Sequence, residues 1–315
     1  MAAPRIVLLV TSPRLPAGLL TAEAWDLVRA HPVYAAAEST HAQALRAGGA
    51  SVTVTDPDVD TLLAHTAAQG TIVWLAGADG DPALARTLGL RLAREPSLAT
   101  LEVSYGSWDP TGARLLDVVS VMDRLRSPGG CPWDREKTHL SLAQYLLEET
   151  YETYDAISSG DLDHLREELG DLLLQVAFHA RIAEEHPDEG WSIDDVAAGL
   201  VDKLVRRHPH VFAGVTVDGA DEVYRNWDEI KKAEKSRDSA MDGIALSQPA
   251  LSLAAKILSR AARAGTTPAL PPGDDLGATL LRLVADAQTN GEDAEAALRR
   301  AALAYADEVR KEESA

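Results

Sequence analysis

The 315-residue chain has little of what marks several protein classes. A single cysteine, Cys131, excludes an internal disulfide. Lysine and arginine number 30 against 49 acidic residues, and the resulting net charge of -19 argues against a nucleic-acid-binding protein. The longest early apolar run, residues 6–10, is too short for a signal sequence or a membrane span. We therefore expect a soluble, cytoplasmic protein with neither a nucleic-acid nor a membrane partner.

The first hundred residues alternate strand patterns with helical patterns. The apolar strand patterns are IVLLVTS, SVTVTD, TIVWLAG and TLEVSYG, and a helical stretch is predicted after the first of them, through Ala36. Such alternation is typical of a small parallel α/β sheet. We assign this α/β domain to residues 1–107.

Two long acidic and apolar segments follow, separated by a short break at residues 158–161. The first helix is predicted to begin at Ser141, which forms a capping-box pattern with Gln144, and to end at Ile157 with Gly160 just beyond. The second is predicted to begin at Asp161. A connection this short favours an antiparallel helical hairpin.

Four carboxylates occupy matching positions on this predicted hairpin. Glu149 and Glu152 are three residues apart, as are Glu168 and Asp171, so each pair lies on one helix face. The pairs are level, at about 12 and 16 Å from the turn at Gly160. Converging carboxylates repel one another unless a cation compensates them. Oxygen ligands, with no histidine or cysteine at metal-ligand spacing, favour Mg²⁺, with Mn²⁺ as a substitute.

The apolar residues beside these carboxylates predict helices that are buried on more than one side. They are Leu146, Leu147, Leu169, Leu172, Leu173 and Val176.

The pattern Glu148-Glu149-x-x-Glu152 followed by Glu168-x-x-Asp171 resembles the motif of MazG-type nucleoside triphosphate pyrophosphohydrolases. GCPWD at 130–134, ELGDLL at 168–173 and RRHPHVF at 206–212 resemble the same family. The resemblance implies an all-α helical-bundle domain, here residues 113–236, which uses Mg²⁺ to split NTPs into NMP and pyrophosphate.

The resemblance also implies roles for the carboxylates. Glu149, Glu152, Glu168 and Asp171 would hold Mg²⁺, and Glu148 would orient or deprotonate the attacking water. Trp133 within GCPWD either frames the nucleotide or fixes the turn into the hairpin.

A basic group ends the next predicted helix, which a capping box at Ser192 opens. Lys203, Arg206 and Arg207 share one face of this helix. Basic residues in a last turn also suit the helix dipole without any ligand. The resemblance favours triphosphate binding.

Trp227 and Lys231 lie four residues apart on a further predicted helix, residues 221–235. An aromatic ring beside an ammonium group can stack a base and bind a phosphate, as similar residues do in MazG proteins. A tryptophan at helical spacing is also a common core residue, so both interpretations stay open.

The two flanking segments look degenerate. Residues 1–107 resemble the N-terminal half of a tetrapyrrole methylase, without its glycine loop or its second half. Residues 274–281 echo residues 167–174, but Ala278 replaces the ligand that corresponds to Asp171. Two-domain MazG proteins carry a second module here, and we interpret residues 243–312 as a degenerate helical repeat of it.

The MazG resemblance further implies a homodimer, because a single hairpin leaves an apolar face uncovered. NTPs and dNTPs, including non-standard or damaged ones, are the expected substrates. One alternative is a narrow dCTP/dUTP or phosphoribosyl-ATP pyrophosphohydrolase. The other is a non-catalytic, Mg²⁺-dependent nucleotide-sensing module.

Overall fold

A parallel β-sheet organises the first third of the chain in a computed structural model, which describes residues 4–234 and 238–315. The strands lie in the order β3-β2-β4-β1-β5, and all pairings are parallel. The central strands are buried apolar runs, as expected where both faces of a sheet are covered. The predicted α/β sheet is confirmed. Its strands are β1 (Arg5–Val10), β2 (Val33–Ala35), β3 (Val52–Val54), β4 (Thr71–Leu75) and β5 (Thr100–Tyr105).

Four helices connect these strands, and one prediction about them is wrong. The helical stretch predicted through Ala36 ends at Ala30, and residues 33–35 form the buried strand β2. Pro32 explains the early end, because proline has no amide hydrogen to continue a helix. The helices are α1 (Ala22–Ala30), α2 (Thr40–Ala47), α3 (Val59–Gln69) and α4 (Pro82–Arg94).

An arginine in the loop after β1 joins the sheet to the first helix that follows it, α5 (Arg114–Arg126). Arg14 donates through Nε and Nη2 to one oxygen of Asp117 on α5, at 2.9 and 2.7 Å. It also pairs with Asp109 in the connecting segment, which accepts a hydrogen bond from Ser12. The Arg14 side chain is only 11% exposed, so these contacts replace water almost completely.

The predicted helical hairpin is present. It consists of α7 (His139–Ser159) and α8 (Leu162–Ala183), preceded by the short helix α6 (Pro132–Glu136). Gly160 ends α7 in the left-handed conformation, with φ of 75°, a region that glycine enters without steric cost. The Asp161 side chain caps α8 by accepting from two backbone amides. The start of α8 at Asp161 was predicted correctly, whereas α7 ends at Ser159, two residues beyond the predicted Ile157.

The predicted start of α7 at Ser141 is wrong. Thr138 is the N-cap, and its hydroxyl accepts from the backbone amide of Ser141 at 3.2 Å. The Ser141 hydroxyl in turn accepts from the backbone amide of Thr138 at 2.9 Å. This reciprocal pair forms a capping box three residues upstream of the predicted one.

Burial of the hairpin on more than one side is also wrong for this single chain. Its core against α5 is small and is centred on Met122, Leu142 and Phe178. Of the apolar residues expected inside, Leu172 and Leu173 are half-buried. The others are more than a third exposed, namely Leu146, Leu147, Leu169 and Val176.

The rest of the described chain contains further helices and the segments that connect them. The chain divides into two compact units, Met1–Gly199 and Leu200–Ala315. The predicted limits 1–107, 113–236 and 243–312 stay predictions. None of the described helices is long and apolar enough to cross a membrane. The remaining helices are α9 (Ile193–Arg207), α10 (Pro209–Phe212), α11 (Ala220–Glu234), α12 (Ala250–Arg263), α13 (Leu276–Thr289) and α14 (Ala294–Glu313).

Two predicted details concern α11 and the C-terminal repeat. The helix predicted to reach Lys235 is described as far as Glu234, and Lys235 lies outside the described residues. Residues 268–273 are not helical, as the repeat comparison predicted. The assignment of a degenerate second module stays a prediction.

Candidate functional site

Three carboxylates converge inside the helical hairpin. Glu149 and Glu152 project from α7 and Glu168 from α8, and one oxygen of each lies within 4.8 Å of the other two. The antiparallel packing of α7 and α8 brings the predicted pairs to the same level. Such crowding of like charges requires compensation by protons or by a cation.

The electrostatic effect of this crowding appears at Glu149. Its pKa is raised above the usual value, first by burial and then by the negative charges of Asp171, Glu152, Glu168 and Glu148. Asp171 lies outside the group of three oxygens, but among these charges it has the largest effect. All five predicted carboxylates therefore interact electrostatically, since four of them raise the pKa of the fifth, Glu149.

Glu168 is the most buried member of the cluster, with 6% of its surface exposed. Its Oε1 lies 3.0 Å from His164 Nε2, one helical turn earlier on α8. Its Oε2 is buried and has no hydrogen-bond partner among the described residues. An unsatisfied buried carboxylate oxygen is costly, and a bound cation would satisfy it. The oxygen donors of the cluster fit a hard divalent ion such as Mg²⁺ or Mn²⁺.

His164 was not among the predicted site residues, although its spacing of four residues from Glu168 is visible in the sequence. The side chain is about half exposed and contacts the oxygen opposite the unsatisfied one. His164 therefore lies beside the cluster, in contact with Glu168.

The segment that leads into α7 is fixed by Arg126 at the end of α5. Arg126 donates through Nε and Nη2 to the carboxylate of Glu185, at 2.9 and 2.7 Å. It also donates through Nη1 to the backbone carbonyl oxygens of Asp134 and Lys137. These contacts support the structural interpretation of the segment. The Trp133 ring itself is half exposed and has Lys137 Nζ at 3.9 Å from its centroid.

The predicted basic and aromatic residues of the second unit form one cluster. The guanidinium carbon of Arg207 lies 5.3 Å from the centroid of the Trp227 ring, and Lys231 Nζ lies 4.6 Å from it. Arg206 and Arg207 both contact the carboxylate of Glu234, and Lys203 is exposed on α9. Four of the five predicted substrate-binding residues are thus joined directly or through Glu234.

Glu234 was missed by the sequence analysis. Its carboxylate accepts from Arg206 Nε at 2.7 Å and from Arg207 Nη2 at 2.5 Å. Hydrogen bonds from Arg207, and then from Arg206, lower the pKa of Glu234 to about 2. A signal was present, because Glu234 follows Lys231 by three residues and Trp227 by seven on the same helix face.

Residues 137–212 match the model of the MazG nucleotide pyrophosphohydrolase domain. This range contains α7, α8 and all the carboxylates of the cluster. The chain belongs to the MazG family. The resemblance drawn from the sequence motifs is therefore confirmed.

Similar proteins extend beyond the MazG domain itself. An uncharacterized 26.1 kDa protein in the blaB 3′ region of Streptomyces cacaoi is 49% identical over 247 residues, which cover 76% of this chain and 99% of that protein. The nucleoside triphosphate pyrophosphohydrolase of Mycolicibacterium smegmatis is 50% identical over 207 residues, or 65% of this chain and 60% of the relative.

The nucleoside triphosphate pyrophosphohydrolase of Escherichia coli K12 is 49% identical over 153 residues, which cover 47% of this MazG chain and 57% of the relative. The matches to these two enzymes span less than two thirds of their length.

Proposed function

We propose that the protein is a Mg²⁺-dependent nucleoside triphosphate pyrophosphohydrolase that converts NTPs and dNTPs, non-standard or damaged ones included, into NMP and pyrophosphate. The convergence of three carboxylates, one of which has an unsatisfied buried oxygen, is the observation that carries this proposal. The similarity to relatives that bear this enzyme name supports it.

In this proposal the carboxylates of the hairpin have two roles, metal binding and activation of the attacking water. Glu149, Glu152, Glu168 and Asp171 hold Mg²⁺, with Mn²⁺ as a substitute. When bound, the ion supplies Lewis acidity toward the phosphate oxygens and the attacking water. Glu148, which is exposed and adjacent to Glu149, orients that water or accepts its proton.

In this proposal the basic and aromatic cluster of α9 and α11 binds the substrate. Lys203, Arg206 and Arg207 neutralise charge on the phosphates, including the departing pyrophosphate. Trp227 offers a ring for base stacking, and Lys231 places an ammonium group beside it. These roles rest on the family and on the clustering of the four residues at α9 and α11.

Pyrophosphate release from a panel of NTPs and dNTPs tests this function. The wild type is expected to act on many bases in the presence of Mg²⁺, and Glu152→Gln to lose at least about 100-fold in rate because the cluster loses a charged ligand. Asp155→Asn is the matched control, since Asp155 is exposed one turn further along α7.

Each other outcome has its own meaning. Release from a single nucleotide would indicate a narrow enzyme such as a dCTP, dUTP or phosphoribosyl-ATP pyrophosphohydrolase. Binding without release would indicate a nucleotide sensor. Full activity of Glu152→Gln would refute the assignment of the carboxylates.

We also propose that the chain forms a homodimer through the uncovered face of the hairpin. Large apolar side chains on α7 and α8 are more exposed than is usual for a monomer. A second copy would bury them and complete a four-helix core. The most exposed are Leu140, Leu147, Ile157, Leu162 and Leu169.

Sedimentation equilibrium measures the oligomeric state directly. The wild type is expected to sediment with twice the mass of the chain, and Leu147→Glu combined with Leu169→Glu to sediment as a monomer, since two charges would be buried at the interface. A wild type that stays monomeric at micromolar concentration would exclude the dimer.

A further inference from the structure

Glu234 occupies the arginine donors to which the proposed function assigns the triphosphate. One carboxylate receives hydrogen bonds from Arg206 Nε at 2.7 Å, from Arg207 Nε at 3.1 Å and from Arg207 Nη2 at 2.5 Å. The side chains of Glu234 and Arg207 are 15% and 11% exposed, so the pair is largely shielded from water. Arg206 remains about half exposed at the rim.

A carboxylate on a guanidinium group uses the geometry that a phosphate would use. Both anions accept two parallel N–H bonds from the planar arginine fork, and the same donors cannot serve both at once. The carboxylate of Glu234 therefore marks the position of a phosphate oxygen pair. A phosphate that takes the Nε of Arg206 and the Nε and Nη2 of Arg207 must first displace it.

The exposure of Arg206 favours such a displacement. Its side chain is 55% exposed, so a phosphate from solvent can reach this arginine before the carboxylate leaves. A ligand that replaces the carboxylate needs to overcome only the net stability of this contact.

We infer that Glu234 is an affinity-determining residue that competes internally with substrate phosphate for Arg206 and Arg207. This inference rests on the proposed role of those arginines. The apparent dissociation constant of a phosphate ligand is then the intrinsic value divided by the fraction of molecules in which Glu234 has moved away. The same competition favours the release of pyrophosphate after the reaction.

Binding of inorganic tripolyphosphate tests the competition without any turnover. Isothermal titration calorimetry on the full chain, with a chelator present to keep the carboxylate cluster free of metal, isolates the arginine cluster. Glu234→Gln is expected to lower the dissociation constant at least about tenfold, because a neutral amide is the weaker competitor. Glu229→Gln, an exposed residue on the same helix, is expected to leave it unchanged.

A second substitution separates this inference from the proposed function. Arg207→Ala is expected to weaken tripolyphosphate binding in both the wild type and the Glu234→Gln background. If Glu234→Gln leaves binding unchanged or weakens it, the carboxylate orients the arginines and the competition is refuted. If binding tightens but the wild type releases no pyrophosphate from any nucleotide, the competition stands and the proposed function falls.

Discussion

Replacing Glu168 with glutamine is expected to stabilise the metal-free protein and to lower pyrophosphate release about 1,000-fold, which corresponds to about 4 kcal/mol of transition-state stabilisation. Glu168 is buried beside Glu149 and Glu152, and its Oε2 has no hydrogen-bond partner among the described residues. Glutamine removes one negative charge and adds an amide donor that faces the two remaining carboxylates. The same change removes a proposed metal ligand, so stability and activity are expected to move in opposite directions.

Differential scanning calorimetry and a pyrophosphate-release assay measure the two effects on one preparation. Without metal, the stability gain of roughly 1 kcal/mol corresponds to a rise in melting temperature of roughly 2–4 °C. Added Mg²⁺ is expected to raise the melting temperature of the wild type but not that of Glu168→Gln, because only the wild type retains the full ligand set.

Glu167→Gln is the matched control, since Glu167 is the exposed neighbour on α8. It is expected to change neither the melting temperature of the metal-free protein nor the rate of pyrophosphate release. A lower melting temperature for metal-free Glu168→Gln, or an unchanged rate, would contradict the assignment of Glu168 as a repelled ligand.

Replacing Arg126 with methionine is expected to destabilise the protein by about 3 kcal/mol, or roughly 6–12 °C in melting temperature. The Arg126 side chain is 3% exposed and makes hydrogen bonds to Glu185 and to two backbone carbonyl oxygens before α7. Methionine fills the space but supplies no donor. The carbonyl oxygen of Lys137 then loses its side-chain donor, and that of Asp134 keeps only the backbone amide of Lys137 at 3.3 Å, which costs more than the loss of an exposed ion pair would.

Urea unfolding at two pH values measures this loss and its origin. The hydrogen bond from Arg126 is the main cause that lowers the pKa of Glu185 below 4.5. Its contribution is therefore fully present above about pH 4.5 and is lost as the pH falls through the lowered pKa of the folded state. The difference between wild type and Arg126→Met is expected to shrink over that acidic range.

Arg124→Met is the matched control, because Arg124 is exposed on the same helix. It is expected to leave the unfolding free energy within about 0.5 kcal/mol of the wild type. An equal loss in both variants would indicate a general effect of charge rather than the buried contacts of Arg126.

The sequence was most informative where the decisive interaction is local. The turn depends on the left-handed backbone conformation of Gly160 and on the helix cap that the Asp161 side chain forms. Both residues were predicted in these places. The level pairs of carboxylates followed from helix geometry alone. The start of α7 was missed because Thr138 and Ser141 offer two overlapping capping patterns, and the local sequence does not rank them.

Interactions between residues that are far apart in the sequence could not be predicted from local patterns. Strand β2 is three residues long, and its pairing with β3 and β4 stabilises it more than any preference of its own sequence. Glu234 is 27 residues from Arg207 along the chain, so the pair appears only when α9 and α11 are folded. The exposure of Leu147 and Leu169 likewise depends on what covers the hairpin.

The contacts of Arg14 connect the α/β segment to the helices that follow it in the first unit. This loop residue binds Asp117 on α5, and α5 also carries the Arg126 contacts to Glu185 just beyond α8 and to the segment before α7. A substitution in the α/β segment can therefore lower the activity, although this segment contains none of the proposed catalytic residues. The sheet is thus linked through Arg14 and α5 to the helices that carry the carboxylates.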